Sequence, residues 1–181
     1  MHETGLTVKY TESAIQERVS EIAKQISRDY ADRPLVLLSI LKGSAFFLAD
    51  LSRRLTVPHG FEFINVTRRQ TGASESTEID FSTPLSLEGK DVIVLKDVVN
   101  TGVIETYLSN QLRSDRPASI RFAAIIDKPR DRRSSVLVDY VLFSSTDNEV
   151  WVGYGMEHAG RHGNLGSIAV LGSSASGAEG Q

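Results

Sequence analysis

Hydrophobic positions along the chain switch between two periods. From Ser13 to Tyr30, the residues Ile15, Val19, Ile22, Ala23, Ile26 and Tyr30 recur at intervals of three and four. That is the spacing of one helical face, so an amphipathic helix is predicted, with Ser13 and Gln16 placed to cap its start. Leu35 to Leu41 (LVLLSIL) is an apolar run broken only by Ser39 and follows Pro34, as expected of a strand covered on both faces. GSAFFLADLSRRL then reads as a helix, and FEFINVT (Phe61 to Thr67) alternates like a strand. The polar, turn-rich RRQTGASESTEIDFSTP that follows is predicted to be a mobile loop. VIVL, a helix from Thr101 to Arg113, SIRFAAIID, VDYVLF and EVWVGYG continue the alternation and end in strands alone. Strands separated by helical segments predict an α/β fold, a mostly parallel twisted sheet flanked by helices with right-handed crossovers. The small, polar terminus is predicted to be disordered, leaving one domain over residues 1–172 and a tail over 173–181.

Composition narrows the partners. The 181 residues are 40% hydrophobic, enough for one domain with a sizeable core. Lys and Arg number 20 against 23 Asp and Glu, a formal charge of -3, which predicts no nucleic-acid and no membrane partner. Phosphate binding would therefore be a local property. No run approaches the roughly 18 uninterrupted apolar residues of a membrane span, and a cytoplasmic protein is expected. The absence of cysteine excludes disulfides, thiolate catalysis and cysteine metal sites.

Candidate chemistry concentrates at one junction, VIVLKDVVNTGVIETYL (Val92 to Leu108). In open α/β sheets, ligands lie beyond the carboxyl ends of strands, where loops feed helix N-termini whose amides attract anions. Gly102 lets backbone approach a ligand, Thr101 offers a hydroxyl, and the amides of the next turn suit a phosphate. Asp97, placed just before, suits a sugar diol. An ordinary strand-to-helix turn fits the spacing equally well.

Three further segments change that balance: LKGSAFFLADL (Leu41 to Leu51), AAIIDKPRDRR (Ala123 to Arg133) and VGYGMEHAGRHGNL (Val152 to Leu165). With VIVLKDVVNTG, they stand in the order and spacing of hypoxanthine-guanine phosphoribosyltransferases, and from about Tyr10 to Leu171 the chain resembles that family. The resemblance implies a type I phosphoribosyltransferase fold with a small hood built from the chain ends. It implies the joining of a purine base to phosphoribosyl pyrophosphate, with release of pyrophosphate, magnesium as the accompanying cation, and a homo-oligomer, dimer or tetramer. Carried over by position, Lys42, Gly43 and Ser44 form a pyrophosphate loop, and Asp97 meets the ribose. Thr101, Gly102, Val103 and Ile104 surround the 5'-phosphate. Lys128 contacts the base. Val150 holds the position of a base-stacking aromatic, with Trp151 beside it as a displaced stacker or, more naturally between two valines, a core residue. Glu157, with Asp97, implies the magnesium side. Without the resemblance, Lys42 and Lys128 read as solvent-facing lysines.

The sequence also departs from the family pattern, which runs two acids, two apolar residues, an aspartate, Thr-Gly, any residue and a threonine. Here the first acid is Lys96, a charge reversal worth about 1 to 4 kcal/mol at roughly 4 Å from a cation or diol. Lys96 weakens a magnesium site or attracts an extra phosphate, unless it turns outward. Asn100 replaces the aspartate that accepts a proton from the purine, and general-base help is worth about 10² to 10⁴ in rate. Ile104 replaces a threonine hydroxyl, a bond to a charged partner worth about 1.5 to 3 kcal/mol. Thr67, Arg68 and Arg69 replace the usual opening of the mobile loop. Gly163 replaces an arginine that meets pyrophosphate, with Arg161 and His162 close by. Two functions follow: a purine phosphoribosyltransferase with altered tuning, its catalytic positions Asn100 and Asp97, or a catalytically silent relative that binds a purine nucleotide or phosphoribosyl pyrophosphate as a sensor or scaffold.

Overall fold

The computed structural model describes residues 5–71, 74–81, 86–146 and 148–172, and at 67–71 and 74–81 the backbone alone. Nine strands, β1 (Leu6–Tyr10), β2 (Leu35–Ile40), β3 (His59–Thr71), β4 (Ser74–Phe81), β5 (Asp91–Val99), β6 (Ser119–Asp127), β7 (Tyr140–Ser144), β8 (Val150–Val152) and β9 (Ile168–Leu171), combine with three helices among the described residues. These are α1 (Glu12–Asp29), α2 (Ala45–Ser52) and α3 (Val103–Leu112). The main sheet has the order β4-β3-β2-β5-β6-β7. Five of its strands are parallel and β4 is antiparallel to β3.

Alternating residues of the central strands feed two cores. Leu35 and Leu37 of β2 with Ile93 and Leu95 of β5 pack among Ile15, Val19, Ile22 and Ile26 of α1 and Phe47 and Leu51 of α2. Val36, Leu38, Val92 and Val94 face the other way, onto Leu108 and Leu112 of α3. Burial on both faces is why β2 reads as a continuous apolar run. The ends of α1 differ from expectation. Thr11 rather than Ser13 is the N-cap, its hydroxyl accepting from the Ala14 amide at 3.3 Å.

Residues 68–71 and 74–81, the described part of the polar stretch, also depart from expectation. Thr67 to Thr71 extend β3 and pair in register with Ser74 to Glu78 of β4, so the polar stretch is largely an antiparallel hairpin. Its backbone hydrogen bonds are supplied by the opposite arm, which a polar sequence permits because the side chains need not enter a core. The side chains of Thr67, Arg68 and Arg69, and the tail 173–181, lie outside the described residues.

A second sheet of order β1-β9-β8 joins the two ends of the chain. β1 was not evident in the amino-acid pattern, since only one edge of it is covered: Leu6 to Tyr10 pairs antiparallel with β9. Tyr10 stacks on Phe143 with ring centroids 3.7 Å apart and lies 6.1 Å from Trp151, fastening this small sheet to the end of the main one. No helix among the described residues is long and apolar enough to cross a membrane.

Candidate active site

Three segments separated in sequence meet at the carboxyl ends of β2 and β5, and glycines set how closely. A Cβ built on Gly43 would lie 2.1 Å from Asp97 Oδ2 and 2.7 Å from its Cγ, so only glycine admits the Asp97 carboxylate there. A Cβ on Gly155 would lie 2.6 Å from the Gly43 carbonyl oxygen, and Gly155 has a φ of 95°, a region that favours glycine. Loop 41–44, the end of β5 and the 153–165 loop are thus stacked backbone on side chain on backbone. The peptide between Leu41 and Lys42 is cis.

In the expected pyrophosphate loop the Ser44 hydroxyl is engaged within the protein. The residue is fully buried, and its Oγ donates toward the Ile40 carbonyl at 2.7 Å and lies 3.1 Å from the Leu95 carbonyl and 2.9 Å from Ser39 Oγ. These bonds tie the loop to β2 and β5, so Ser44 positions Lys42 and Gly43.

Lys42 is the most exposed of the loop's polar groups and lines a cleft of about 560 Å³ with Phe46, Gly155, Glu157, Arg161, His162 and Gly163. Its ammonium lies 3.5 Å from Glu157 Oε1; with side-chain exposures of 79% and 42%, that pair contributes at most about 1 kcal/mol. Arg161 and His162 share this cleft, so Gly163 leaves it supplied with positive charge from its neighbours. The 153–165 loop is held by backbone bonds from Tyr154 N to Leu165 O and from Gly155 N to Gly163 O. It is also held by the Tyr154 hydroxyl, which donates to Asp50 Oδ2 at 2.8 Å. Burial first, and the Asp50 carboxylate second, push the Tyr154 hydroxyl well above its ordinary pKa of 10, so it remains a donor.

At the phosphate junction the helix begins at Val103, later than the expected Thr101. Gly102 is its N-cap with φ 77°, and no side chain caps the turn through that residue. The first-turn amides face the junction in the manner that suits an anion. Thr101 Oγ1 accepts from the Val103 amide at 3.4 Å. Ile104 packs against the core beneath α3 and does not plug the junction. The loop after β6 is welded to this turn: Lys128 N donates to Val99 O and Arg133 N to Thr101 O, both at 2.9 Å. A Cβ on Gly102 would meet Ser134 Oγ at 2.2 Å.

Lys128 is only 5% exposed. Its ammonium sits 3.1 Å from Asp131 Oδ2 and donates to Asn148 Oδ1 at 3.2 Å, so the solvated-lysine reading fails here. Val99 pairs with Asp127, which sets the exposed Asn100 and Lys128 side by side at the ends of β5 and β6. Val150 is part-exposed, whereas Trp151 points into the core at 8% exposure, against Tyr10. Strand alternation thus assigns Trp151 to packing, as expected of an aromatic between two valines, and not to base stacking.

The charges behind Asp97 were only half visible in the sequence. Lys96 Nζ lies 2.8 Å from Asp97 Oδ1, which also accepts from the Val98 amide at 2.8 Å. Glu105 is 3% exposed, and burial first raises its carboxyl above the ordinary 4.5, opposed by its own backbone amide, Lys96 and Arg132 and reinforced by Asp97. Arg132 pairs with Asp127. Glu105, Arg132, Asp131 and Asn148 escaped the sequence reading. Glu105 reads as an acid suited to a helix's first turn, Asp131 and Arg132 pair with Lys128 and Asp127 at the polar turn after β6, and Asn148 reaches Lys128 from 20 residues away. Asp97 and Glu157, the two carboxylates expected to face magnesium, are each matched by a lysine, and no three His, Asp or Glu gather among the described residues. A magnesium ion carried on substrate phosphates is held by one or two carboxylates, and of the two here Asp97 meets it with an ammonium already at 2.8 Å.

A parallel sheet with a glycine-capped helix start after β5, a glycine-tight loop after β2 and a lysine-lined cleft defines a type I phosphoribosyltransferase fold. Residues 10–158 match the phosphoribosyl transferase domain, and the chain belongs to that family, within its hypoxanthine-guanine phosphoribosyltransferase branch. It is 34% identical over 173 residues to a hypoxanthine-guanine phosphoribosyltransferase of Staphylococcus epidermidis, covering 94% of this chain and 96% of that protein. It is 30% identical to the bifunctional protein TilS/HprT of Listeria innocua, of which it spans 26%. A solved structure of an asparagine mutant, from an analysis of an invariant aspartic acid in such enzymes, superposes with a TM-score of 0.85 at 35% identity, covering 92% of this chain and 93% of that one. Magnesium generally accompanies phosphoribosyl pyrophosphate in this family.

Proposed function

We propose that the protein is a purine phosphoribosyltransferase that transfers the phosphoribosyl group of phosphoribosyl pyrophosphate to a hypoxanthine- or guanine-type base. The observation that carries this reading is the approach of the Asp97 carboxylate to Gly43, which sets a group suited to a diol against the loop whose Lys42 lines the cleft. In the reaction a purine ring nitrogen bonds to ribose C1 as the bond from C1 to the pyrophosphate oxygen breaks. The electron pair leaves with pyrophosphate, and the ring proton passes to solvent. The sugar becomes oxocarbenium-like at the transition state, so positioning and charge stabilisation supply most of the rate.

In this scheme Lys42, with Arg161 and His162, meets the departing pyrophosphate, and Asp97 holds the ribose. Thr101, Gly102 and the amide of Val103 take the 5'-phosphate. Lys128, fixed by Asp131 and Asn148, donates to an exocyclic oxygen of the base, beside Asn100 and Val150. Asn100 can hydrogen-bond the base but cannot take its proton, which lowers the rate without removing the main sources of catalysis. The partners are small molecules, the expected compartment is the cytoplasm, and a second copy of the chain is the expected partner in an oligomer. The test is nucleotide formation from phosphoribosyl pyrophosphate with hypoxanthine, guanine, xanthine and adenine in turn. Turnover with an oxopurine is expected. Nucleotide binding by calorimetry without turnover on any base would overturn the enzymatic reading.

A further inference from the structure

Lys96 stands where the proposed reaction alone does not require it. On β5, Val92 and Val94 face α3, while Ile93 and Leu95 face α1 and α2. At the end of the strand the Lys96 ammonium lies 2.8 Å from Asp97 Oδ1, and its side chain is only 16% exposed. Across the cleft the Lys42 ammonium lies 3.5 Å from Glu157. The Asp97 carboxylate that would recruit a hard dication is therefore met by an ammonium group, which would also repel it, while Glu157 is only loosely paired. An ammonium carries three donors, so Lys96 keeps capacity beyond Asp97 for oxygens of a bound ligand.

We propose that Lys96, oriented by Asp97, stands in for the divalent cation, so that phosphoribosyl pyrophosphate binds this protein with its diol and phosphate oxygens met by lysine and without need of magnesium. The proposal rests on the reading that this site takes phosphoribosyl pyrophosphate. Lys96 also faces the buried Glu105, whose charge it opposes, so its removal is tested with a neutral and an acidic replacement.

Calorimetric titration of phosphoribosyl pyrophosphate into the full chain, once in EDTA and once in excess magnesium, tests this. The affinity is expected to agree within about threefold between the two conditions. Lys96→Gln is expected to weaken binding in EDTA by about tenfold or more, and Lys96→Glu to make binding respond to magnesium by at least about tenfold. Circular dichroism melting establishes that each variant is folded. Wild-type binding that strengthens more than about tenfold with magnesium would overturn the proposal and leave the transferase reading intact. Absence of binding in both conditions would overturn both. Lys96→Gln binding as tightly as wild type in EDTA would also overturn it. If the variants do not fold, the wild-type pair of titrations still decides.

Discussion

Substituting Gly43 by alanine tests the central contact of the site. The added Cβ would fall 2.1, 2.7 and 2.8 Å from Oδ2, Cγ and Cβ of Asp97. Moving the tip of the side chain does not relieve such contacts, because its root is also too close. Asp97 must swing away, giving up its bonds to Lys96 and the Val98 amide, or loop 41–44 must shift against Gly155. Overpacking of this kind costs about 1 to 3 kcal/mol, and for a chain of this size each kcal/mol lowers Tm by about 2 to 4 °C. Displacing Asp97 also removes a charged hydrogen bond to the ribose, about 1.5 to 3 kcal/mol, which is roughly 10- to 150-fold in KM for phosphoribosyl pyrophosphate. The control is Gly60→Ala, where a Cβ meets nothing within 4 Å and φ is ordinary. Steady-state kinetics with calorimetric melting of both variants gives the comparison. If Gly43→Ala matches Gly60→Ala in Tm and in KM, Asp97 does not sit against that loop in solution and the proposed ribose contact is wrong.

Asn100→Asp restores a proton acceptor beside Lys128 and is expected to raise kcat by about tenfold or more; an unchanged or lower kcat in a single-turnover assay would show that Asn100 does not face the base. Lys128→Met should raise KM for the base by about tenfold or more, the worth of a charged donor, with KM for phosphoribosyl pyrophosphate nearly unchanged, and equal losses in both would refute the assignment. Glu105 holds its proton more tightly folded than unfolded. Its stabilising share is therefore complete below the ordinary carboxylate pKa of 4.5 and is lost as pH rises through the elevated folded value. Glu105→Gln should melt like wild type in acid and progressively above it towards neutral pH, and a constant difference across the titration would rule out the raised carboxyl.

Much of the scaffold is written in periodicity. The three- and four-residue spacing through Ile15, Val19, Ile22 and Ile26 names the buried face of α1, and the apolar runs of β2 and β5 announce a sheet covered on both sides. Local patterns suffice there because a helix or strand repeats its environment at fixed intervals. The hairpin of β3 and β4 was hidden for the opposite reason. Its polar residues carry no period, and its strands owe their form to backbone pairing with each other.

The junction Asp97, Asn100, Thr101, Gly102 was legible because strand, turn and helix start lie within a dozen residues. Which way Ser44 and Lys128 point was not, since each orientation is fixed in part by a partner far along the chain: Leu95 for Ser44 and Asn148 for Lys128. By itself, the sequence determined the alternation of strands and helices and the place of the glycine turn that opens α3. Only the tertiary structure decided that Lys96 reaches Asp97 and that Gly43 yields its side-chain space to the same carboxylate. Burial and charge pairing are relations between segments, and they come into being when the segments meet.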